Sequence, residues 1–365
     1  MKLSNQIMSF SQGETSLYEK FADYMAHYRA TAEGVKGLVF DNRATLDAKE
    51  KELNGEILAE VEKCVGRSKP ENMSFAAWAN DPVVKHYTFA VIGAMIDAIL
   101  PDTLIDSIGV YADIRYGGFG DSFAFDVESR DLFAVSQAGN GKRLGFVKKQ
   151  FKGTETLVPV NHKITVQVSV YRMLAGLESL AKFTMKAVRS IETQMTYDAY
   201  DAMAAGLNAL SGNAASLKVA SYSQDALVSL CQKVTAYNGG NKAVIVGTQL
   251  ALSKVLPSDS NYRYMLDSQY VTLGHVTEFN GFDVMAIPQV ADYSSANYGL
   301  KLNDNILYVI SPSADKLIKI AVEGETLAYV DEIDDNANLT QNSTINKRWQ
   351  AGMITSAIAG QVTLA

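Results

Sequence analysis

Between residues 174 and 210 apolar side chains recur at every third or fourth position, and no other feature limits the possible folds of this chain as strongly. Leu174, Leu177, Ala181, Met185, Val188, Ile191, Met195, Ala199, Met203, Leu207 and Leu210 advance with a mean spacing of about 3.6 residues, the period of an α-helix. No proline interrupts the row, and Ser211-Gly212-Asn213 supplies a stop. The stretch predicts one amphipathic helix roughly 50 Å long at 1.5 Å per residue, about three times the usual length. Such a stripe must be covered along its whole extent, so the rest of the chain has to build a body beside it.

The strand that leads into the helix alternates cleanly: Ile164, Val166, Val168 and Val170 face one way, Thr165, Gln167 and Ser169 the other. That pattern predicts a strand with one buried face. Further upstream Phe123, Phe125 and Val127 alternate with Ala124, Asp126 and Glu128, and a Gly139-Asn140-Gly141 turn separates them from Leu144 to Phe151. This predicts a long hairpin flanked by Gly117-Gly118 and Gly153. Its second arm carries Lys142, Arg143, Lys148, Lys149 and Lys152 and is too polar on both faces for a sheet buried in its own domain. Such a ribbon projects from the body, and these cations, with Phe123 and Phe125, are the candidates for contact with a neighbouring subunit.

Residues 1–16 lack periodicity and predict an extended arm leading into a short helix from Leu17 to Arg29. Leu46, Leu53, Ile57, Leu58 and Val61 mark a helix over 45–64, and Asp81-Pro82 opens a strongly apolar stretch that Pro101 closes, which reads as a buried helix. Beyond the long helix the pattern shortens. A helix from Gln224 to Tyr237 ends at Asn238-Gly239-Gly240, a strand covers Ala243 to Val246, and Thr248 caps a helix that Pro257 ends. Tyr270 to Glu278, Phe282 to Ile287 after an Asn280-Gly281 turn, Ile306 to Ser311 and Leu317 to Val322 are strand-like. They predict a separate α+β lobe, and the final run from Ile345 to Ala365 is expected to return to the first lobe. A chain of 365 residues, 47% hydrophobic, is large enough for two lobes.

The search for chemistry finds little. His27, His86, His162 and His275 are scattered without metal-ligand spacing. Cys64 and Cys231 follow no metal or redox spacing and are expected to be buried thiols in a reducing cytoplasm. Gly139-Asn140-Gly141-Lys142 departs from a phosphate loop at Ser136 and Arg143, so a hairpin turn is the better reading. Tyr116-Gly117-Gly118-Phe119-Gly120 does not run from a strand into a helix and is read as a hinge at the ribbon base. Asp331-Glu332-Ile333-Asp334-Asp335-Asn336 lacks the glycine and terminal glutamate of a calcium loop and reads as a solvated acidic turn. There is no Gly-x-Ser-x-Gly elbow. No catalytic residue, cofactor or metal is therefore expected. A net charge of -7 and a pI of about 5.3 speak against a dedicated nucleic-acid reader. A mean hydropathy of -0.02 and the absence of any window approaching a membrane span's apolar length predict a soluble chain without a membrane partner. The first dozen residues carry no apolar export signal.

The order of an arm, a projecting ribbon, a return strand, a very long helix and an α+β lobe resembles the Hong Kong 97 type capsid fold of tailed bacteriophages. Gly281-Phe282-Asp283-Val284-Met285-Ala286-Ile287-Pro288 and Arg348-Trp349-Gln350-Ala351-Gly352 resemble strand motifs of that family. The resemblance implies an α+β major capsid protein. Residues 1–30 would be the N-arm, 31–115 the first part of the P-domain, 116–157 the E-loop, 158–219 the P-domain strand and spine helix, 220–327 the A-domain, and 328–365 a return to the P-domain. It further implies a homo-oligomer of pentamers and hexamers in an icosahedral shell, located in the virion capsid and assembled in the host cytoplasm. Packaged double-stranded DNA would be enclosed without sequence-specific binding, and a portal would be a partner. The family's N-terminal scaffolding segment is missing before the arm, and the initial Met1 points to a separate scaffolding protein. Ribbon lysines and Asn336, Asn338, Asn342 or Asn346 show no defining crosslink pattern. The alternatives are an encapsulin-like nanocompartment shell and a soluble α/β hydrolase.

Overall fold

The computed structural model describes residues 17–32, 38–109, 111–128, 135, 152–256, 270, 273–292, 297–312, 314–330 and 341–364. The first part of the chain holds helices α1 (Leu17–Ala32), α2 (Leu46–Val65), α3 (Phe75–Ala79) and α4 (Pro82–Ile108). Strands β1 (Ala112–Gly117), β2 (Phe123–Glu128), β3 (Lys152–Leu157) and β4 (Val160–Val168) follow, then α5 (Val170–Leu174) and α6 (Leu180–Asn208). The second part holds β5 (Lys218–Val219), α7 (Gln224–Tyr237), β6 (Val244–Thr248), α8 (Gln249–Leu252), β7 (Glu278–Phe279), β8 (Phe282–Ile287) and β9 (Ile306–Ile310). The long strands β10 (Ile318–Val330) and β11 (Gln341–Met353) precede the last strand, β12 (Gly360–Thr363). The class is α+β, as expected.

A four-stranded sheet runs in the order β1-β10-β11-β4, with β1 parallel to β10 and the other pairs antiparallel. A six-stranded sheet runs β5-β12-β9-β6-β8-β7, and among the described residues β2 pairs only with β3. The largest core lies between α4, α6 and the inner face of the first sheet. There Ile92, Ile96, Val188, Met195, Ile320 and Val322 are buried together. A second core under α7 joins Leu227, Leu230 and Val234 to Ile245, Leu307 and Val362.

The spine helix α6 is shorter than the row that predicted it. It has 29 residues, about 43 Å at 1.5 Å per residue, and Leu174 belongs to α5, while Leu177 is 68% exposed in the turn between them. The break has a capping cause. Ser179 Oγ accepts from Lys182 N at 3.1 Å and Asn54 Oδ1 from Ala181 N at 2.9 Å, which satisfies amides that a helix start would leave open. Within α6 the row is buried from Leu180 to Leu207.

Helix α4 departs twice from expectation. It continues through Pro101 to Ile108, giving up one internal hydrogen bond at the proline. Its segment Pro82–Leu104 is long and apolar enough to cross a membrane by length and composition, against the reading that no window approaches this. Its surroundings account for the composition: it packs on α2, α6 and β10, and Asp97 at its centre accepts from Thr326 N at 2.6 Å and Lys347 Nζ at 2.7 Å. A helix packed on several sides by its own protein carries apolar residues on most of its surface, and the exposed positions among its described residues cluster at its ends, at Pro82, Val83, His86 and Asp102.

The helix expected from Leu17 to Arg29 is present as α1 and is docked: Phe21, Tyr24 and Met25 are buried in the main core, and Arg29 pairs with Glu192 of α6 at 2.6 Å. Three further expectations are corrected. Strand β10 joins the first sheet from Ile318, so the second lobe ends well before Leu327. The C-terminal run divides, β11 lying in the first sheet and β12 in the second, because the connector between them is tied down twice. Asp315 accepts from Ser356 N at 3.0 Å, and Asn238 exchanges two 2.8 Å bonds with the Ile358 backbone. Among the described residues of the expected strand from Tyr270 to Glu278, Glu278 alone is in a strand, whereas Tyr270 is helical. The Asn280-Gly281 turn is present, with φ of 48° and 82°, the two left-handed residues that a tight hairpin requires.

Candidate assembly surfaces

The paired part of the ribbon runs in the register Phe123↔Leu157 to Glu128↔Lys152. Alternation puts Phe123 and Phe125 on one face, and that face lies on Ala321 of β10 with Leu157 and Ile354 packed beside it. The rings are 5% and 1% exposed, so their own subunit covers them. Arg115 at the end of β1 fixes this root from the side. Its guanidinium stacks 4.2 Å from the Phe125 centroid and donates to the Ala124 carbonyl at 2.6 Å. The opposite face presents Ala124, Asp126, Glu128, Lys152, Thr154 and Thr156 to solvent. Lys152 lies 4.0 Å from Asp126, a spacing typical of a solvated pair. Lys142, Arg143, Lys148 and Lys149, the Gly139-Asn140-Gly141 turn, and residues 1–16 lie outside the described residues. Of the expected contact residues, the described ones are thus Phe123 and Phe125, packed on their own β10, and Lys152, exposed on the polar face.

Among the described residues strand β4 is an edge of the first sheet, with β11 on one side only. Its apolar row Ile164, Val166, Val168 and Val170 was expected to be buried, yet Val166 is 39% exposed, and Val160 and Val158 ahead of that row are 48% and 72% exposed. Only Val168, with Val170 after the strand, is buried. The sheet extends past the helix that should cover it: the inner-face residues Ile345 and Trp349 of β11 are buried against α6, where Trp349 Nε1 donates to Asp198 at 2.8 Å, whereas their partners on β4 lie further out. His162 stacks on Trp349 at 3.7 Å, which closes that gap in part.

The candidates for chemistry are accounted for structurally. Among the described residues no group of three or more His, Cys, Asp or Glu side chains could hold a metal ion. His27 stacks on Phe40, and His275 Nδ1 lies 3.1 Å from the Leu273 carbonyl. Burial pushes the Cys231 thiol up to about 12 and raises Cys64 as well, so both stay protonated and are poor nucleophiles at neutral pH. Asp331-Glu332-Ile333-Asp334-Asp335-Asn336 falls outside the described residues. Sequence reasoning missed Arg115, Glu323 and Arg348 at the ribbon root. Their roles depend on the crossing of distant strands, and no local spacing signals it.

The family described as "SPbeta prophage-derived putative capsid protein YonB" matches residues 30–363. No curated protein matches the sequence. Among solved structures, the mature capsid of bacteriophage PhiM1 is similar at 12% identity, covering 70% of this chain and 86% of that one, with a TM-score of 0.45. The capsid of cyanophage P-SCSP1u is similar at 10% identity, 72% and 88% coverage and a TM-score of 0.46. The head of Helicobacter pylori bacteriophage KHP40 is similar at 10% identity, 71% and 90% coverage and a TM-score of 0.43. The family match spans nearly the whole chain and names a structural class, which sets the hydrolase and nanocompartment alternatives aside. The chain belongs to the YonB family of prophage-derived phage capsid proteins, and its work is structural and not enzymatic.

Proposed function

We propose that copies of this chain close into an icosahedral shell of pentamers and hexamers around double-stranded phage DNA. Assembly would take place in the host cytoplasm with a separate scaffolding protein and a portal. The observation that carries this reading is the capsid-family match over residues 30–363. Support comes from the order of elements: ribbon, return strand, spine helix and α+β lobe follow one another as in the Hong Kong 97 type fold. The surfaces offered to neighbours are the exposed valines of β4 and the polar face of the ribbon. An exposed strand edge with apolar side chains is a template for association. Each contact is weak, and closure by symmetry multiplies many such contacts into a stable shell. A net charge of -7 suits DNA that is enclosed and released rather than gripped. Electron microscopy of the purified full chain, across salt and protein concentration, tests the reading directly. Shells or tubes are expected, and a monodisperse monomer under every condition would count against it.

A further inference from the structure

Three glycines at the root of the ribbon are each filled by a side chain where a Cβ would sit. A Cβ on Gly117 would lie 2.8 Å from the Phe123 ring, one on Gly324 2.5 Å from Phe119, and one on Gly352 2.8 Å from Leu157. Gly117 ends β1, Gly324 lies in the irregular stretch of β10 where the register shifts, and Gly352 is near the end of β11. These are three consecutive strands of the first sheet. Phe123 and Leu157 thus press into two sockets on their own body, while the ring of Phe119, 56% exposed, lies over the third glycine. An independent tie lies between them. Gly120 N donates at 2.7 Å to Glu323 Oε1, on a side chain only 5% exposed. Arg348 Nη1 stands 3.0 Å from the other carboxylate oxygen, an ion pair whose angle is too poor for a hydrogen bond. Arg348 in turn donates to the Pro159 carbonyl at 3.0 Å, where β3 passes into β4, so both ends of the ribbon meet one charge cluster.

Close-packed knobs in sockets admit few orientations. We propose that Gly117, Gly324, Gly352 and Glu323 are positioning residues that hold the ribbon at one fixed angle to the first sheet, and that this angle sets the curvature of the shell. The curvature clause rests on the shell reading above; the rooting clause does not. The lever is long enough to matter. At about 3.3 Å per residue, a tilt of ~10° at the root moves the far end of the six-residue strands by about 3 Å, enough to shift the register of any contact made there.

The test uses the full chain carrying Gly117→Ala or Glu323→Gln. Phe123 is buried and has no room to retreat from a new methyl group, so Gly117→Ala is the stronger variant; Glu323→Gln keeps the shape, removes the charge and guards against a folding failure. In the unassembled chain, hydrogen exchange of the amides in 123–128 and 152–157 is expected to accelerate at least about tenfold while the amides of α6 keep their protection. In assembled material, electron microscopy is expected to show a changed or mixed shell diameter. Unchanged exchange in both variants overturns the rooting, and a loosened root with shells of wild-type diameter overturns the curvature clause. If the wild-type chain forms no shells either, the shell reading fails together with the curvature clause, and the exchange measurement decides the rooting alone.

Discussion

Helix α6 and strand β4 carry equally clean apolar patterns, yet one row is buried from Leu180 to Leu207 and the other leaves Val160 and Val166 substantially in solvent. The periodicity of a segment reports that an apolar face exists; it does not report which chain covers it. For α6 the cover is α4, β10 and β11 of the same subunit. For β4, at the sheet edge, no such cover lies among the described residues, and the reading proposed above assigns it to a neighbouring copy.

This contrast can be broken by substitution. The largest effect is expected on the covered side: Leu207→Ala, at a fully buried position of α6, should destabilise the unassembled chain by about 2–5 kcal/mol in denaturant unfolding. A change below 1 kcal/mol there would mean that the spine is not the core it looks like. Glu192→Ala comes next. It strands the Arg29 guanidinium against the body, costs roughly 1–3 kcal/mol, and should open α1 to limited proteolysis ahead of the rest. Val166→Thr lies on the other side of the contrast. It should leave the unfolding midpoint of the free chain within about 0.5 kcal/mol yet raise the protein concentration needed for assembly. The loss of ~0.8 kcal/mol at each buried methyl corresponds to roughly a fourfold weaker contact. Equal effects on folding and assembly would erase the distinction between the two surfaces.

Acid gives the smallest effect and sharpens the internal side. Burial alone would raise the Asp315 carboxyl, but the bonds from Ser356 and the Lys319 ion pair outweigh it and hold the group below its ordinary value of 3.8. A folded-state value below the unfolded one means that the unfolded chain binds the proton first. The contribution is therefore complete above the ordinary value and lost as pH falls through the lower, folded one. Asp315→Asn should flatten the acid limb of the stability profile below about pH 4 and leave neutral-pH assembly unchanged. A steeper limb in the variant would reverse the assignment.

Much of the fold was legible because local signals and packing agree. The caps Thr45 and Ser223 start the helices that the residues after them predict, and Thr248 caps a helix that ends at Leu252, short of the expected stop at Pro257. The Asn280-Gly281 turn folds as its residue types demand. The misreadings fall where distant partners decide. Asn54 from α2 cuts the long helix at Leu180, β10 and the second sheet divide the C-terminal strands, and the core around α4 makes a membrane-like composition a buried one. Of the candidate surfaces, the alternation of Phe123 and Phe125 was readable, but Ala321, nearly two hundred residues further along the chain, turns that face inward.

The decisive measurement is a cryo-electron microscopy map of the assembled particle at side-chain resolution. The account predicts that Val158, Val160 and Val166 of each subunit lie beneath a segment of an adjoining copy while Phe123 and Phe125 remain on their own β10. Particles in which those valines still face solvent, or in which the two rings have crossed to a neighbour, would contradict it.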